Sequence, residues 1–237
     1  MVGVDRGVRT ALVTSDGQHY RAPRISGRQA AWYLALQRRL VRQRKGSRRR
    51  EQTRQAMAVI AARVADRRKD WAEKISTRLI CQNDAVVFEK LNIAGMTRKP
   101  APQPDSGQPG RFLPNQARGK AGLSRGILAS AWGVLGQRIK DKGEASGTLV
   151  LFVDPRFTSQ QCHVCGHTDT ANRDSQAVFA CVSCGHRDHA DRNAALNILA
   201  RGLVLTVGEP VPALAAGYAA SCPHQPAPAA AGTTQAA

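Results

Sequence analysis

Short apolar runs separated by turn residues open the chain and predict three β-strands. Residues 2–4 (V-G-V) form the end of a buried strand that closes at Asp5. Residues 8–14 alternate between apolar and polar side chains well enough for a second strand, and residues 15–17 (S-D-G) follow it as a turn. A third strand is predicted over residues 19–22. Strands joined by tight turns pair with their neighbours, so the pattern predicts an antiparallel meander.

Apolar residues recur at helical spacing after the meander. Trp32 and Leu36 lie on one face of a predicted basic, amphipathic helix. A second helix is predicted from about Arg54 to Ile80, with an apolar stripe that we interpret as core packing. The members of this stripe are Met57, Ile60, Val64, Trp71, Ile75 and Leu79.

Two further helices are predicted nearer the carboxyl terminus. Ser124 is a suitable N-cap for the first, and Gly143 is predicted to end it. The second begins near Ala190, with Gly202 as its predicted stop.

Two strands and two irregular segments complete the pattern. Residues 84–89 (D-A-V-V-F-E) and 148–153 are rich in β-branched side chains and predict buried strands. Residues 97–123 are rich in Pro and Gly, which predicts a flexible insertion. Residues 208–237 are dominated by Ala and Pro with one charged side chain, and we predict a disordered tail there.

The charge of the chain indicates a polyanionic partner. Among 237 residues there are 35 Lys plus Arg against 17 Asp plus Glu, a formal net charge of +18. Eleven of the basic residues fall between Arg21 and Arg50, where there is no acid. This pattern favours nucleic acid as the partner over an anionic membrane surface. The chain has neither an apolar run of about 18 residues nor a secretory signal at its start, so we expect no membrane association and a cytoplasmic protein.

Four of the six cysteines form two C-x2-C pairs separated by fifteen residues. The four are Cys162, Cys165, Cys181 and Cys184. Four thiolates satisfy tetrahedral Zn²⁺ without an open position, so the spacing predicts a structural zinc ribbon. Two disulfides are the alternative, but they need an oxidising compartment. Nearby histidines could replace a thiolate, although we expect them to lie at the surface or beside the ligands; these are His163, His167, His186 and His189.

Three acids come from three separate predicted elements. Asp5 ends the first strand, Glu89 ends a later strand, and Asp191 lies at the start of the last helix. Cleavage of a phosphodiester by two Mg²⁺ ions requires such carboxylates, which hold hard cations about 3.5–4 Å apart. Each acid alone is also typical of a cap, a turn or a solvated surface. What distinguishes these three acids from ordinary surface acids is that they occur together with the cysteine pairs and the basic helix.

Several strings of the sequence resemble the TnpB (OrfB) family of transposon-encoded nucleases, which is related to the type V CRISPR effectors. They are G-V-D-R-G-V, V-F-E-K-L-N-I-A-G-M, V-D-P-R-F-T-S-Q-Q-C-H-V-C-G-H and D-R-N-A-A-L-N-I-L. The resemblance implies an α/β fold of RNase H-like (RuvC-like) type, with a mixed sheet, flanking helices and an inserted zinc ribbon. It also implies a DNA endonuclease directed by a guide RNA.

The resemblance assigns the three catalytic positions to the three acids already singled out. It matches Asp5 in G-V-D, Glu89 in V-V-F-E and Asp191 in D-x-N-A-A, and implies that they bind Mg²⁺. Asp188 competes with Asp191, and the N-A-A-L-N-I-L context favours Asp191. The cysteine pairs match the zinc knuckle of the family.

The resemblance also predicts how the chain is divided. We predict a RuvC-like nuclease domain from residues 1–155 and 187–207, a zinc ribbon at residues 156–186, and the tail. Family members carry a helical recognition region before the first catalytic strand, whereas Asp5 here lies four residues after Met1, so we expect the nuclease half of such a protein. The alternative function is a truncated, non-catalytic transposon remnant that still binds nucleic acid.

Overall fold

The computed structural model describes residues 1–108 and 110–206. Within these residues the strands, numbered along the chain, are β1 (Val2–Asp5), β2 (Leu12–Thr14), β3 (His19–Tyr20), β4 (Ala85–Glu89), β5 (Gln103–Pro104), β6 (Phe112–Leu113), β7 (Leu149–Val153), β8 (Val178–Ala180) and β9 (Arg187–His189). The α-helices are α1 (Gly27–Arg42), α2 (Arg48–Gln82), α3 (Ile93–Thr97), α4 (Ala117–Ala129), α5 (Trp132–Ser146) and α6 (Ala190–Thr206). None of the helices in the described part of the chain is long and apolar enough to cross a membrane.

A five-stranded mixed sheet forms the centre, in the order β3-β2-β1-β4-β7. The pairs β1–β2 and β2–β3 are antiparallel, so the predicted meander is present. The pairs β1–β4 and β4–β7 are parallel. The α/β, RNase H-like (RuvC-like) fold class predicted from the sequence is therefore confirmed, with helices on both faces of a mixed sheet.

Strand β2 is shorter than the strand predicted at residues 8–14, because side chains form hydrogen bonds with backbone carbonyls in the first part of that segment. The Arg24 guanidinium donates to the Val8 carbonyl at 2.6 Å, and the Trp132 indole donates to the Ala11 carbonyl at 3.1 Å. Strand pairing begins only at Leu12, the partner of Tyr20.

Alternate residues of β4 supply the two cores. Val86 and Phe88 face α2 and α5, in a cluster that also holds Ile75 and Leu79. Val87 faces α6, where it packs with other buried residues. The predicted stripe of α2 is confirmed: four of its members are buried, and Met57 and Trp71 are half-buried. The helix begins at Arg48, earlier than predicted, because Ser47 caps it by accepting from the Arg50 N–H at 3.3 Å.

Two glycines predicted to end helices lie inside them instead. A Cβ on Gly143 would lie 2.6 Å from a Val150 methyl and 2.9 Å from the Thr148 carbonyl oxygen. A Cβ on Gly202 would lie 2.4 Å from a Val87 methyl. Both glycines therefore permit close packing of a helix on the sheet. The helix predicted over residues 124–143 is in fact two, α4 and α5, because Ala131 adopts a left-handed conformation with φ of 58°.

The Pro/Gly-rich insertion predicted at residues 97–123 contains regular structure. Strands β5 and β6 form a hairpin within it, and α4 begins at Ala117. Residues 154–189, between β7 and α6, contain the four cysteines and the hairpin β8–β9. The tail predicted at residues 208–237 lies outside the described residues.

Candidate active site and cysteine cluster

The parallel pairing of β1 and β4 places Asp5 beside Glu89. Val4 pairs with Phe88, and each acid is the next residue of its strand. Because both strands run in the same direction, their carboxyl ends meet at one edge of the sheet. The sequence placed the two acids at strand ends, and the sheet order makes those strands neighbours.

Asp191 lies in the first turn of α6, which packs against β1. The helix approaches closely because Gly3 has no side chain: a Cβ there would lie 2.2 Å from the Ala195 carbonyl oxygen. The Asp191 carboxylate lies 3.8 Å from the guanidinium of Arg173. The third predicted acid thus reaches the same end of β1.

Electrostatic coupling joins the three acids. Burial, and after it the negative charges of Glu89 and Asp191, raise the pKa of Asp5 to about 8. The charge of Arg173 and a backbone hydrogen bond from Arg6 act in the opposite direction. This pocket stabilises a second or third negative charge poorly unless a cation is present.

Glu89 is 6% exposed and is held by several partners. The Thr158 hydroxyl donates to its carboxylate at 2.5 Å, and the Arg6 guanidinium donates to its backbone carbonyl. Burial raises the pKa of Glu89, whereas the Thr158 hydrogen bond and the charges of Arg6 and Arg201 lower it. These contacts fix the orientation of the Glu89 carboxylate.

Sequence reasoning missed Arg6, Thr158 and Arg173. Arg6 follows Asp5 directly, and its guanidinium lies 5.7 Å from the centre of the Phe88 ring. Thr158 lies in the F-T-S-Q-Q string just before the first cysteine pair, so its position in the motif was a usable signal. Nothing in the local sequence around Arg173 distinguishes it from other basic residues.

Asp188 belongs to a different environment from Asp191. Its carboxylate pairs with the Arg192 guanidinium at 3.0 Å and accepts from the His189 N–H at 2.7 Å. Of these two acids, Asp191 is the one whose charge raises the pKa of Asp5. Asp191 is therefore coupled electrostatically to Asp5, whereas Asp188 is engaged by Arg192 and the His189 N–H.

The four cysteines form one cluster whose Sγ atoms all lie within 4.8 Å of one another. Cys162 and Cys184 are separated by 3.8 Å between sulfurs, and Cys165 and Cys181 by 3.6 Å. Four ligands at the Zn–S distance of about 2.3 Å form a tetrahedron with edges of about 3.8 Å. The cluster fits a zinc ribbon, as the spacing predicted, and all four cysteines are free thiols in the structure rather than members of disulfides.

The two cysteine pairs repeat one backbone pattern. Gly166 and Gly185 close the two turns, with φ of 77° and 72°, and their N–H groups donate to the backbone carbonyl oxygens of Cys162 and Cys181 at 2.9 Å each. Backbone hydrogen bonds, above all that from Cys184, lower the pKa of Cys181 to about 6. This thiol is therefore prepared to bind metal as a thiolate.

Two asparagines of the N-A-A-L-N string fasten the ribbon to α6. The Asn193 amide donates to the Gln161 carbonyl at 2.8 Å, and the Asn197 amide donates to the Thr158 carbonyl at 2.8 Å. Both asparagines are buried. The Asn197 contact joins α6, the helix that carries Asp191, to Thr158, whose hydroxyl donates to Glu89.

A basic surface extends over α1 and the start of α2. Leu36 is the buried residue of α1, and the Trp32 side chain is 55% exposed beside Arg28. Burial and the positive charges of Arg67 and then Arg24 lower the pKa of Arg68. Crowded positive charges of this kind are relieved by a bound anion.

Two family descriptions match separate parts of the chain. Residues 1–99 match OrfB_IS605, described as "Probable transposase", and residues 132–198 match the TNB domain of Cas12f1-like proteins. The first range contains Asp5 and Glu89, and the second contains Asp191 and the cysteine cluster.

Two curated relatives match most of the chain. The Escherichia coli K12 protein named "Putative RNA-guided DNA endonuclease InsQ" is 35% identical over 212 residues, which are 89% of this chain and 51% of that protein. A Streptomyces pristinaespiralis protein named "Putative RNA-guided DNA endonuclease" is 31% identical over 203 residues, covering 85% of this chain and 45% of that protein. The chain thus spans about half the length of these relatives.

A chain of the cryo-EM structure of a Cas12f1–sgRNA–target DNA complex superposes with a TM-score of 0.48 at 20% identity, over 84% of this chain and 49% of that chain.

The mixed sheet and the inserted cysteine ribbon define an RNase H-like protein of the RuvC-like type. The chain belongs to the TnpB (OrfB) family of transposon-encoded proteins, as its motifs predicted.

Proposed function

We propose that this chain is the nuclease part of an RNA-guided DNA endonuclease, with Asp5, Glu89 and Asp191 as its catalytic carboxylates. The observation that carries the proposal is their convergence from β1, β4 and α6 onto one end of the sheet, where burial and mutual repulsion raise the pKa of Asp5 to about 8. The curated relatives named above are described as RNA-guided DNA endonucleases.

The carboxylates fit Mg²⁺ by the chemistry of their donor set. Carboxylate oxygens are ligands that this hard cation prefers, and a divalent ion offsets the repulsion that raises the pKa of Asp5. Among the described residues, the groups whose ligand atoms all lie within 4.8 Å do not include this trio. The wider spacing is compatible with ligands shared between two ions. When bound, Mg²⁺ supplies an activated water and stabilises the leaving 3′ oxygen.

The protein's own groups position these acids and the substrate. Thr158 orients the Glu89 carboxylate, and Arg173 lies beside Asp191, where it is placed to contact a phosphate. The basic surface of α1 holds the nucleic-acid backbone through phosphate contacts, which carry no sequence information. In this proposal, sequence is read by pairing with the guide RNA.

The decisive experiment measures Mg²⁺-dependent DNA cleavage by the wild type, Glu89→Gln and Glu144→Gln. Glu144 is exposed on α5, so its substitution makes the same chemical change away from the site. We expect Glu89→Gln to lower the cleavage rate by at least about 100-fold, the size of effect that follows loss of a positioned catalytic group. Glu144→Gln is expected to match the wild type.

Equal cleavage by wild type and Glu89→Gln would disprove the catalytic assignment. Salt-dependent nucleic-acid binding without cleavage by the wild type would instead assign the non-catalytic binding function. The salt dependence is the control for phosphate contacts, since such binding weakens steeply as ionic strength rises.

A further inference from the structure

A second group of possible metal ligands lies beside the cysteine cluster and shares no residue with it. The ligand atoms of His163, His186 and Asp188 all lie within 4.8 Å of one another. His163 comes from the first cysteine turn, His186 follows the second, and Asp188 lies on β9. The rings of the two histidines meet edge to face, with their centres 4.6 Å apart.

The hydrogen bonds of Asn193 determine which nitrogen of His163 is free. The Asn193 Nδ2 donates to the Gln161 carbonyl at 2.8 Å, so its Oδ1 is an acceptor. That oxygen lies 3.0 Å from Nδ1 of His163, which must therefore carry the proton. The remaining nitrogen, Nε2 of His163, keeps its lone pair. Metal-binding histidines are oriented in this way, by donating the other ring N–H to an oxygen.

The other two groups are also prepared for a ligand. Nε2 of His186 is buried and has no hydrogen-bond partner within the described residues. A buried polar nitrogen without a partner costs free energy, which a metal bond would recover. The Asp188 carboxylate is 12% exposed and is held by Arg192 and by the His189 N–H. Ligating carboxylates are commonly held by such hydrogen bonds.

We propose that His163, His186 and Asp188 form a second metal site, which takes a divalent transition-metal ion such as Zn²⁺. Two imidazoles and one carboxylate suit this class of ion, and three protein ligands leave a fourth position for water. The ion links both cysteine turns to β9, the strand that leads directly into α6 and Asp191. The proposal rests on this geometry and is independent of the nuclease activity.

The test uses Co²⁺ as a spectroscopic probe, added to protein whose cysteine cluster already holds one Zn²⁺. All proteins carry Glu89→Gln, which weakens cation binding at the carboxylate site. We expect d–d absorption that saturates at one equivalent, without thiolate charge-transfer bands. Proton NMR is expected to show a hyperfine-shifted, exchangeable signal from the His163 Nδ1–H.

Three variants decide the outcome. His163→Gln and Asp188→Asn are each expected to weaken Co²⁺ binding by at least about 100-fold, and His163→Gln is expected to remove the exchangeable signal. His167→Ala changes a neighbouring ribbon histidine outside the group and should preserve both readouts. Retention of one Zn²⁺ per chain verifies that each variant is folded.

The absence of saturable Co²⁺ binding would overturn the proposal. Equal Co²⁺ affinity in the parent protein, His163→Gln and Asp188→Asn would overturn it as well, since the ion would then lie elsewhere.

Discussion

Within residues 1–108 and 110–206, the main core of the central sheet contains eleven buried hydrophobic residues, whereas the core of the ribbon contains four. Two of those four are the zinc-ligand candidates Cys162 and Cys181. The central sheet carries Asp5 and Glu89 at the ends of neighbouring strands, with Asp191 nearby on α6, although burial and the charges of the other two acids raise the pKa of Asp5. So small an apolar core does not stabilise the ribbon alone, and metal binding is expected to supply part of its folding free energy. The comparison leads us to expect that the ribbon needs metal for its full stability, whereas the central sheet does not. The two regions meet at Thr158, whose hydroxyl donates to Glu89.

The largest expected effect follows from removing two thiolates. Cys165→Ser with Cys184→Ser changes exposed side chains, so the loss arises from the metal site rather than from core packing. We expect amide hydrogen exchange over residues 161–189 to rise to the rates of an unfolded chain, while β4 and α2 stay protected. Exchange is measured by mass spectrometry on zinc-loaded protein.

The matched control for this experiment is Val164→Ser with Val182→Ser. These valines lie within the same two turns and are 61% and 58% exposed. The control is expected to keep wild-type protection. Wild-type protection in the cysteine variant would show that the ribbon folds without metal and would remove the contrast between the two regions.

The next largest effect is a loss of stability when a methyl group is added where α5 packs on the central sheet. Gly143→Ala places a Cβ against Val150 and the Thr148 carbonyl, and we expect a loss of about 1–3 kcal/mol in the free energy of unfolding. Gly133→Ala, on the same helix with nothing within 4 Å, is expected to gain about 0.5–1 kcal/mol. Urea unfolding measures both. Equal effects of the two substitutions would contradict the close-packing role of Gly143.

Substitutions of Thr158 test whether the ribbon positions Glu89 of the central sheet. Thr158→Val removes the hydroxyl that donates to Glu89 and keeps the shape of the side chain. We expect about tenfold slower Mg²⁺-dependent DNA cleavage, with little change in the urea midpoint. Thr158→Ser restores a hydroxyl and is expected to recover most of the rate. A Thr158→Val variant as fast as the wild type would show that Glu89 is positioned without the ribbon.

The smallest effect concerns the stability of the magnesium-free protein. An unfolded chain releases the Asp5 proton near its ordinary pKa of 3.8, whereas the folded protein retains it up to about pH 8. Stability contributed by this group is therefore present at low pH and falls as the pH rises through this window.

Asp5→Asn removes this dependence. At pH 8 without Mg²⁺ we expect the variant to melt above the wild type, with a smaller difference at pH 5. Asp16→Asn, an exposed acid in a turn, is the control. A constant difference across this pH range would contradict the raised pKa of Asp5. Thermal unfolding followed by circular dichroism provides the measurement.

Much of the fold was predictable because it depends on local pattern, and the three candidate acids were predicted from their motifs. Periodic or motif signals predicted three features that the structure contains. They are the strand 85–89, the apolar stripe of α2 and the cluster of four cysteines. The roles of Gly143 and Gly202 were not predictable. A glycine that ends a helix and one that lets a helix approach a sheet look the same in sequence, and only the neighbouring strand distinguishes them.

The sequence by itself indicated most of the α/β elements and the spacing of the cysteine cluster, because residue type and spacing encode these features directly, and its family resemblance singled out the three candidate acids. Only the tertiary structure decided that Thr158 holds Glu89, that Asp191 rather than Asp188 acts on Asp5, and that two histidines and Asp188 converge beside the ribbon. These features join residues that are distant along the chain. Their energies depend on burial and on the direction of each side chain, and both are set when the sheet, α6 and the ribbon pack together.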